Sequence, residues 1–212
     1  MKNYNKKRLK RVLPVVIIVL GLFGGYYYFM AGKGPVVQSE VASYTWTASK
    51  NTALGYELSY PEGAMTYKPG TVAETGMLNP NKKIKKDRFV VSSDYIKGTN
   101  LASDSGVTIE VYDSTQLCQA EYVPENFAAS PVQTINGKTF STASSQSGAA
   151  GNFYQHTLFK TVHEGKCYVA IAVTHTTNVG AYPAGEVIEY NKAELMELYT
   201  KLISTFKVGV LK

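Results

Sequence analysis

One stretch near the N-terminus constrains the chain more than any other feature of its sequence. Residues 12–31 form a run of 20 residues without a charged side chain, VLPVVIIVLGLFGGYYYFMA. As an α-helix rising about 1.5 Å per residue, this run would be roughly 30 Å long, which matches the hydrocarbon core of a bilayer. The sequence therefore predicts a single transmembrane helix that contacts the lipid bilayer.

The basic residues are concentrated on one side of this run. Residues 1–34 contain seven basic side chains and no acidic one, and six of the seven lie in residues 1–11. The remaining 15 basic and 16 acidic side chains nearly cancel over residues 35–212. By the positive-inside rule, residues 1–11 are expected to be a basic cytoplasmic tail, with the C-terminal domain outside the cell membrane. The net charge of +6 thus indicates topology, and we expect no nucleic-acid partner.

A cleaved signal peptide is the alternative to an uncleaved anchor. Signal cleavage requires small residues at the −1 and −3 positions. Cleavage after Ala31 would place Phe29 at −3, and cleavage after Gly25 would place Phe23 there. The sequence therefore favours an uncleaved single-pass anchor.

The apolar run also contains two glycines four residues apart, Gly21 and Gly25. This G-x-x-x-G spacing allows two helices to approach closely, so it permits a weak homodimer. Because glycine is common in transmembrane helices, chance is the other explanation.

Both cysteines of the chain, Cys118 and Cys167, follow the apolar run. An even number of cysteines in an oxidising compartment favours a disulfide. Closing a loop of about 50 residues would contribute roughly 4 kcal/mol on the chain-entropy model. Two unpaired buried thiols are the alternative, and a zinc site is disfavoured because His163 and Cys167 lack a second close ligand pair.

Residues 32–41 have the composition of a linker, and residues 42–212 are expected to form an extracytoplasmic domain. Alternating or β-branched patterns predict strands at residues 56–60, 88–92, 107–112, 152–162 and 166–176. Asn136-Gly137 predicts a hairpin turn. The Ser-, Ala- and Gly-rich residues 141–151 predict a mobile loop, and residues 115–122 predict a short helix.

The C-terminal region has the pattern of an amphipathic helix. Asn191 and Glu194 resemble a capping box. An apolar stripe follows with helical spacing, formed by Leu195, Leu198, Tyr199, Leu202 and Phe206. Many strands, a hairpin and this terminal helix predict an α+β fold with a mostly antiparallel sheet and flanking helices.

Two short motifs in this domain resemble those of PsbP-like domains. Gly55-Tyr56 through Tyr60-Pro61 is similar to the strand that opens the family's domain, and residues 203–206 resemble the I-x-[ST]-F end of its last helix. The family's Trp after the Tyr-Pro pair is missing, because residues 62–65 read EGAM. The resemblance covers about residues 44–210. It implies an antiparallel sheet flanked by helices in an anchored bacterial protein, and it implies no photosynthetic activity and no functional residue.

No common catalytic or cofactor motif occurs in the sequence. G-x-S-x-G, H-E-x-x-H, the P-loop and the EF-hand loop do not appear. We therefore expect no catalytic residue, no bound metal and no cofactor.

Two histidines, His156 and His175, lie on the two long predicted strands. With a two-residue turn at Glu164-Gly165, Tyr154 would oppose His175, and His156 would be its diagonal neighbour on the same face. Such a pair could bind a metal or respond to pH, whereas two ordinary strand histidines are the simpler interpretation.

The domain has one concentration of positive charge, which we call the basic run. It consists of Lys82, Lys83, Lys85, Lys86 and Arg88. This loop could contact anionic envelope polymer, lipid headgroups or an acidic protein. The alternative is a solvated loop that leads into a strand, with lysines that block edge pairing.

Taken together, these features predict a membrane-anchored, non-catalytic interaction or accessory domain outside the cytoplasm, with a protein or an anionic envelope polymer as partner. One alternative is an extracytoplasmic hydrolase whose site is assembled from scattered residues, which would require a pocket with convergent polar groups. The other is a pilin-like structural subunit, which also joins an N-terminal apolar helix to an α+β domain.

Overall fold

The computed structural model describes residues 43–209 of the chain, and β-strands are the main secondary structure in this part. The strands are β1 (Trp46–Asn51), β2 (Tyr56–Pro61), β3 (Met65–Lys68), β4 (Ala73–Thr75), β5 (Lys83–Val91), β6 (Gly106–Tyr112), β7 (Ala128–Ile135), β8 (Lys138–Ala149), β9 (Asn152–His163), β10 (Lys166–Thr177) and β11 (Lys207–Val208). The α-helices are α1 (Ser93–Ile96) and α2 (Lys192–Ser204), and short 3-10 helices lie at Thr115–Cys118 and Val179–Ala181.

These strands form two sheets with antiparallel pairing throughout. The larger sheet has the order β3-β5-β6-β10-β9-β8-β7, with β4 also paired to β5, and the smaller sheet has the order β1-β2-β11. The long hairpin β9–β10 lies near the centre of the larger sheet. Its turn at Glu164-Gly165 has positive φ at both residues, as a two-residue hairpin turn requires.

Both faces of the central strand β10 are buried. Tyr168 and Ala170 belong to a core shared with α2 and the smaller sheet, whereas Val169 and Ile171 belong to a second core. That second core also contains residues from the two long segments 76–82 and 113–127. Because successive side chains of a strand point to opposite faces, the larger sheet separates a helix-covered face from a loop-covered face.

The predicted fold class is wrong in its helical part. The described residues form mostly antiparallel sheet, and their two α-helices have 4 and 13 residues, so a sheet with several flanking helices is not what forms. No helix within residues 43–209 has the length and apolarity to span a membrane. The tail, the proposed transmembrane helix at residues 12–31, the Gly21 and Gly25 pair and the linker at residues 32–41 lie outside the described residues.

Three local predictions also need correction. Residues 141–149 belong to β8 and are not a mobile loop, because pairing with β7 and β9 fixes this backbone. The basic run lies mostly in β5 and not in a loop, because β4 and β6 pair with it on either side. The expected helix at residues 115–122 is a 3-10 helix of 4 residues. In the first two cases, strand pairing outweighs local composition.

The C-terminal helix forms where its sequence pattern predicts it. Asn191 Oδ1 accepts a hydrogen bond from the Glu194 backbone N–H at 3.2 Å, and the Glu194 carboxylate lies 3.3 Å from Asn191 Nδ2. The cap therefore closes through the asparagine side chain. All five residues of the apolar stripe are at most 2% exposed, namely Leu195, Leu198, Tyr199, Leu202 and Phe206.

Candidate functional site

The histidine pair has the register that the sequence predicts. Tyr154 pairs with His175, and His156 pairs with Val173 two residues further along the hairpin. The Tyr154 ring is stacked beside both histidines, with ring centroids 4.1 Å from His175 and 6.3 Å from His156. An aromatic ring, and not an open coordination space, therefore adjoins both imidazoles.

Each histidine of this pair has its own surroundings. His175 Nδ1 lies 2.7 Å from Asp104 Oδ1, and His175 Nε2 lies 2.9 Å from Asn152 Oδ1. Burial lowers the pKa of His156, and the charge of Asp104 opposes that shift. Within residues 43–209, no group of three or more His, Cys, Asp or Glu side chains has an arrangement suited to a metal ion. The geometry fits two strand histidines, one of which fastens the residue 104 loop to the sheet.

The basic run separates into two groups of different character. Lys86 Nζ lies 2.8 Å from the buried Glu110, and Arg88 forms a two-point ion pair with Glu74. The hydrogen bonds from Arg88 lower the pKa of the Glu74 carboxyl. Lys82, Lys83 and Lys85 are exposed. Two of the five predicted contact residues are therefore paired with acids of the same domain, and the other three are exposed to solvent.

The predicted disulfide between Cys118 and Cys167 is confirmed, with a Cα–Cα distance of 5.4 Å. It ties the 3-10 helix at Thr115–Cys118 to β10. Beside it, the buried Lys160 of β9 donates hydrogen bonds to the backbone carbonyls of Gln119 and Tyr122, and burial lowers the pKa of its ammonium group. The disulfide and this lysine together hold residues 113–122 against the sheet.

The buried carboxylate of Asp87 is fully used in holding strands and loops together. Asp87 accepts hydrogen bonds from Asn51 Nδ2, from the hydroxyls of Tyr56 and Tyr67, and from the backbone N–H of Gly70. Burial and this carboxylate raise the pKa of Tyr56. Since buried polar groups are normally satisfied by such bonds, the cluster is explained by stability alone.

A cavity of about 600 Å³ combines aromatic and acidic side chains, and we call it the tyrosine–acid cavity. It lies around α1, the turn between β2 and β3, and the segment that leads into α2. Its lining includes three tyrosines and three carboxylic acids, which are Tyr44, Tyr95, Tyr190, Asp94, Glu189 and Glu194. None of the described residues that line it is basic.

Hydrogen bonds between distant parts of the chain hold the walls of this cavity in place. Asn100, which is 9% exposed, accepts from the Tyr190 backbone N–H at 3.0 Å and donates to the Thr177 carbonyl at 2.9 Å. Ser92 caps α1 through the Tyr95 backbone N–H and donates to the Gly63 carbonyl. The α1 segment and the segment before α2 are thereby both tied to the larger sheet.

The charge pattern of the cavity favours a cationic ligand. Carboxylates attract a cation directly, and the face of a tyrosine ring attracts it through the ring quadrupole. Burial, followed by the charge of Glu189, raises the pKa of Tyr190, so its ring carries a neutral hydroxyl near neutral pH. Tyr95 and Tyr44 pack against Leu198 and Ala64, which gives the rings a fixed backing.

Sequence reasoning did not identify this cavity. Its residues come from four separate parts of the chain, and no spacing rule connects them. A faint signal is present in the two acid–tyrosine dipeptides Asp94-Tyr95 and Glu189-Tyr190, each of which places a charge next to an amphipathic ring.

No protein-family model and no curated protein matches this chain. Among solved structures, it is similar to a protein from Bacteroides thetaiotaomicron, with a TM-score of 0.42 and 12% identity over 76% of this chain and 47% of that one. It is similar to the Saccharomyces cerevisiae Ran-binding protein Mog1p, with a TM-score of 0.42 and 9% identity over 79% and 97% of the two chains. It is also similar to LpqN, involved in cell envelope biogenesis of Mycobacterium tuberculosis, with a TM-score of 0.37 and 10% identity over 84% and 99%.

This chain spans about half the length of the Bacteroides protein. Mog1p and LpqN are proteins of the Mog1/PsbP-like fold. Because the identities and TM-scores are low, no ligand, partner or activity is transferred from these structures to this chain.

Proposed function

We propose that this chain is a non-catalytic interaction or accessory domain whose binding site is the tyrosine–acid cavity. The observation that carries this proposal is the joint presence of three tyrosine rings and three carboxylates around one cavity of about 600 Å³. Rigid aromatic rings contribute binding area at a low cost in conformational entropy, and they are enriched at protein interfaces. The partner that fits this chemistry is a protein that presents a Lys or Arg side chain.

The cavity lacks the arrangement that catalysis would require. Its acids, Asp94, Glu189 and Glu194, share the lining with three tyrosine rings, and no nucleophile paired with a base lines the cavity among the described residues. A nucleophile and its base must lie within hydrogen-bond reach to act together. This composition supports binding better than hydrolysis.

We also propose that the domain works outside the cytoplasm. The support is the disulfide between Cys118 and Cys167, since structural disulfides persist in oxidising compartments and are rare in the cytosol of most organisms.

The basic run supports a second contact, with an anionic surface. Lys82, Lys83 and Lys85 are exposed near the start of β5, and two of them lie in the strand itself. The strand fixes the spacing of Lys83 and Lys85, and Lys82 directly precedes them, so the three charges form a basic patch. We propose that this patch contacts anionic envelope polymer, lipid headgroups or an acidic protein.

Removal of two cavity charges tests the main proposal. In the full-length chain, Asp94→Asn combined with Glu189→Gln should weaken binding of a lysine-rich peptide by about tenfold, because each opposite charge near a ligand cation contributes to affinity. Calorimetric titration at two salt concentrations measures the affinity. The matched control is Glu121→Gln combined with Glu125→Gln, which removes two exposed acids from the loop-covered side.

The control should bind the lysine-rich peptide as the unmodified chain does. Equal weakening by both double variants would show a general charge effect and would refute the cavity as the binding site. Absence of binding by the unmodified chain to lysine-rich and arginine-rich peptides would refute the proposed partner class.

A further inference from the structure

A second cavity, of about 410 Å³, adjoins the first at Tyr190, which lines both. We call it the sheet groove. Besides Tyr190 it is lined by side chains on β8, β9 and β10, among them Gln146, Gln155, Phe153 and Thr176. Among the described residues that line it, none carries a charged side chain.

The register of the sheet arranges these side chains in two rows. In the first row, Gln155 of β9 pairs with Gln146 of β8 on one side and with Thr174 of β10 on the other. In the second row, two residues along, Phe153 pairs with Gly148 and with Thr176. Since paired residues of neighbouring strands point to the same face, the groove has an amide row next to an aromatic row.

Phe153 presents its ring to solvent in this groove. Its side chain is 54% exposed, although it is a large apolar residue within a sheet. A Cβ atom on Gly148 would lie 3.1 Å from Phe153 Cδ1, so the glycine provides the space in which the ring lies across the neighbouring strand. The absence of a side chain at Gly148 therefore explains the position of the Phe153 ring. This ring forms a flat apolar surface beside the amides of Gln146 and Gln155.

We propose that the sheet groove binds an uncharged saccharide. A pyranose ring has an apolar face of C–H bonds that can stack on an aromatic ring, and its hydroxyl groups both donate and accept hydrogen bonds. The side-chain amides of Gln146 and Gln155 each provide two donors and one acceptor oxygen. The lack of charge in the lining suits a neutral sugar, because a charged ligand would lose hydration there without an ionic partner.

An extended peptide fits the groove less well. Peptides that bind to sheets usually add a strand to an open edge, where backbone N–H and C=O groups are unpaired. Here β9, the middle strand of the groove, pairs with β8 on one side and with β10 on the other, so it offers only side chains to a ligand. The pairing of β7 with β8 ends at Ser144, so a peptide strand could add only along the outer side of β8, away from the Phe153 and Gln155 side chains of β9.

Titration of the full-length chain with neutral tetrasaccharides tests this proposal. The probes are cellotetraose, chitotetraose and maltotetraose, with an uncharged Gly-, Ser- and Thr-containing peptide for comparison, and binding is followed by saturation-transfer NMR and calorimetry. At least one saccharide should bind. Gln146→Ala combined with Gln155→Ala should weaken that binding by about tenfold, since two hydrogen-bonding amides are lost. Phe153→Leu, which keeps an apolar side chain over Gly148, should weaken it by a similar factor.

The matched control is Gln133→Ala, which removes an exposed amide from β7, outside the groove. It should leave saccharide binding unchanged, and so should the acid variants of the tyrosine–acid cavity, which keeps the two proposals separately testable. No binding of any of the three saccharides would overturn this proposal. Binding that survives both groove variants, or binding of the peptide alone, would also overturn it.

Discussion

Truncation of Leu202 to Ala tests whether α2 stabilises the sheet, and its cost can be worked out from the structure. Leu202 is 0% exposed and belongs to the core that contains Tyr56 and Phe206. The change removes three carbon atoms, and about 0.8 kcal/mol per buried methylene gives about 2.4 kcal/mol from transfer alone. Because the aromatic rings around the site cannot collapse freely, a cavity contribution adds to this figure. We therefore expect a loss of about 3–5 kcal/mol in the free energy of unfolding.

Urea denaturation of the oxidised chain, followed by far-UV circular dichroism, measures this loss as a shift of the midpoint at constant slope. Met196→Ala is the matched control, since Met196 lies on the same helix and is 36% exposed. It should cost less than about 1 kcal/mol. If the Leu202→Ala variant were as stable as the Met196→Ala variant, the inference that α2 packs as part of the core would be refuted.

Three further predictions follow from single features of the structure. Without reductant, maleimide labelling of the denatured chain should find no free thiol, and full labelling before reduction would contradict the disulfide. Replacement of Cys118 and Cys167 by Ala should lower the free energy of unfolding by about 4 kcal/mol. Changing Lys82, Lys83 and Lys85 to Ser should weaken binding to anionic vesicles, most strongly at low salt because screening acts over about 10 Å at 0.1 M, whereas Ser at Lys50, Lys97 and Lys192 should change it less. Equal effects of the two triple variants on vesicle binding would indicate that the basic run is an ordinary solvated surface. Burial lowers the pKa of His156 in the folded chain, so the unfolded chain takes up this proton first and stability falls as the pH drops below about 6.5. His156→Gln should make the free energy of unfolding less dependent on pH between about 7 and 5, and an unchanged profile would show that His156 is not buried in solution.

The parts of the fold that the sequence predicts correctly have strong local signals. The hairpin turn at Asn136-Gly137 requires positive φ at both residues, and both adopt it. The C-terminal helix begins at an asparagine cap and carries its apolar residues at helical spacing. In both places the local preference and the tertiary structure demand the same conformation, so a short window of sequence is enough.

The strand β8 shows why the rest could not be predicted. Its residues are mostly Ser, Ala, Thr and Gly, a composition that favours a loop. In the structure these small side chains lie between β7 and β9, and Thr142 and Ala143 are buried at 4% and 0% exposure. The strand is specified by its neighbours, because β-structure depends on packing across strands more than on intrinsic preference.

The candidate site is harder to predict from the sequence than the fold, because long-range hydrogen bonds bring its residues together. Sequence reasoning predicted the disulfide from the even number of cysteines expected in an oxidising compartment. It predicted the register of the histidine pair from the length of a single hairpin turn. It could not place Tyr44, Asp94 and Glu189 around one cavity, because no periodicity or motif relates their positions. The high number of tyrosines, 16 in the chain, indicated binding only in general terms.

A single buried amide links the two proposed binding regions. Asn100 accepts from the backbone of Tyr190 and donates to the backbone of Thr177, and its own backbone N–H donates to the carbonyl of Ile188. It therefore fixes the segment before α2 to the end of β10. Tyr190 is the wall shared by the tyrosine–acid cavity and the sheet groove. This asparagine, which lies in neither lining, thus helps to position both the acidic cavity and the neutral groove beside it.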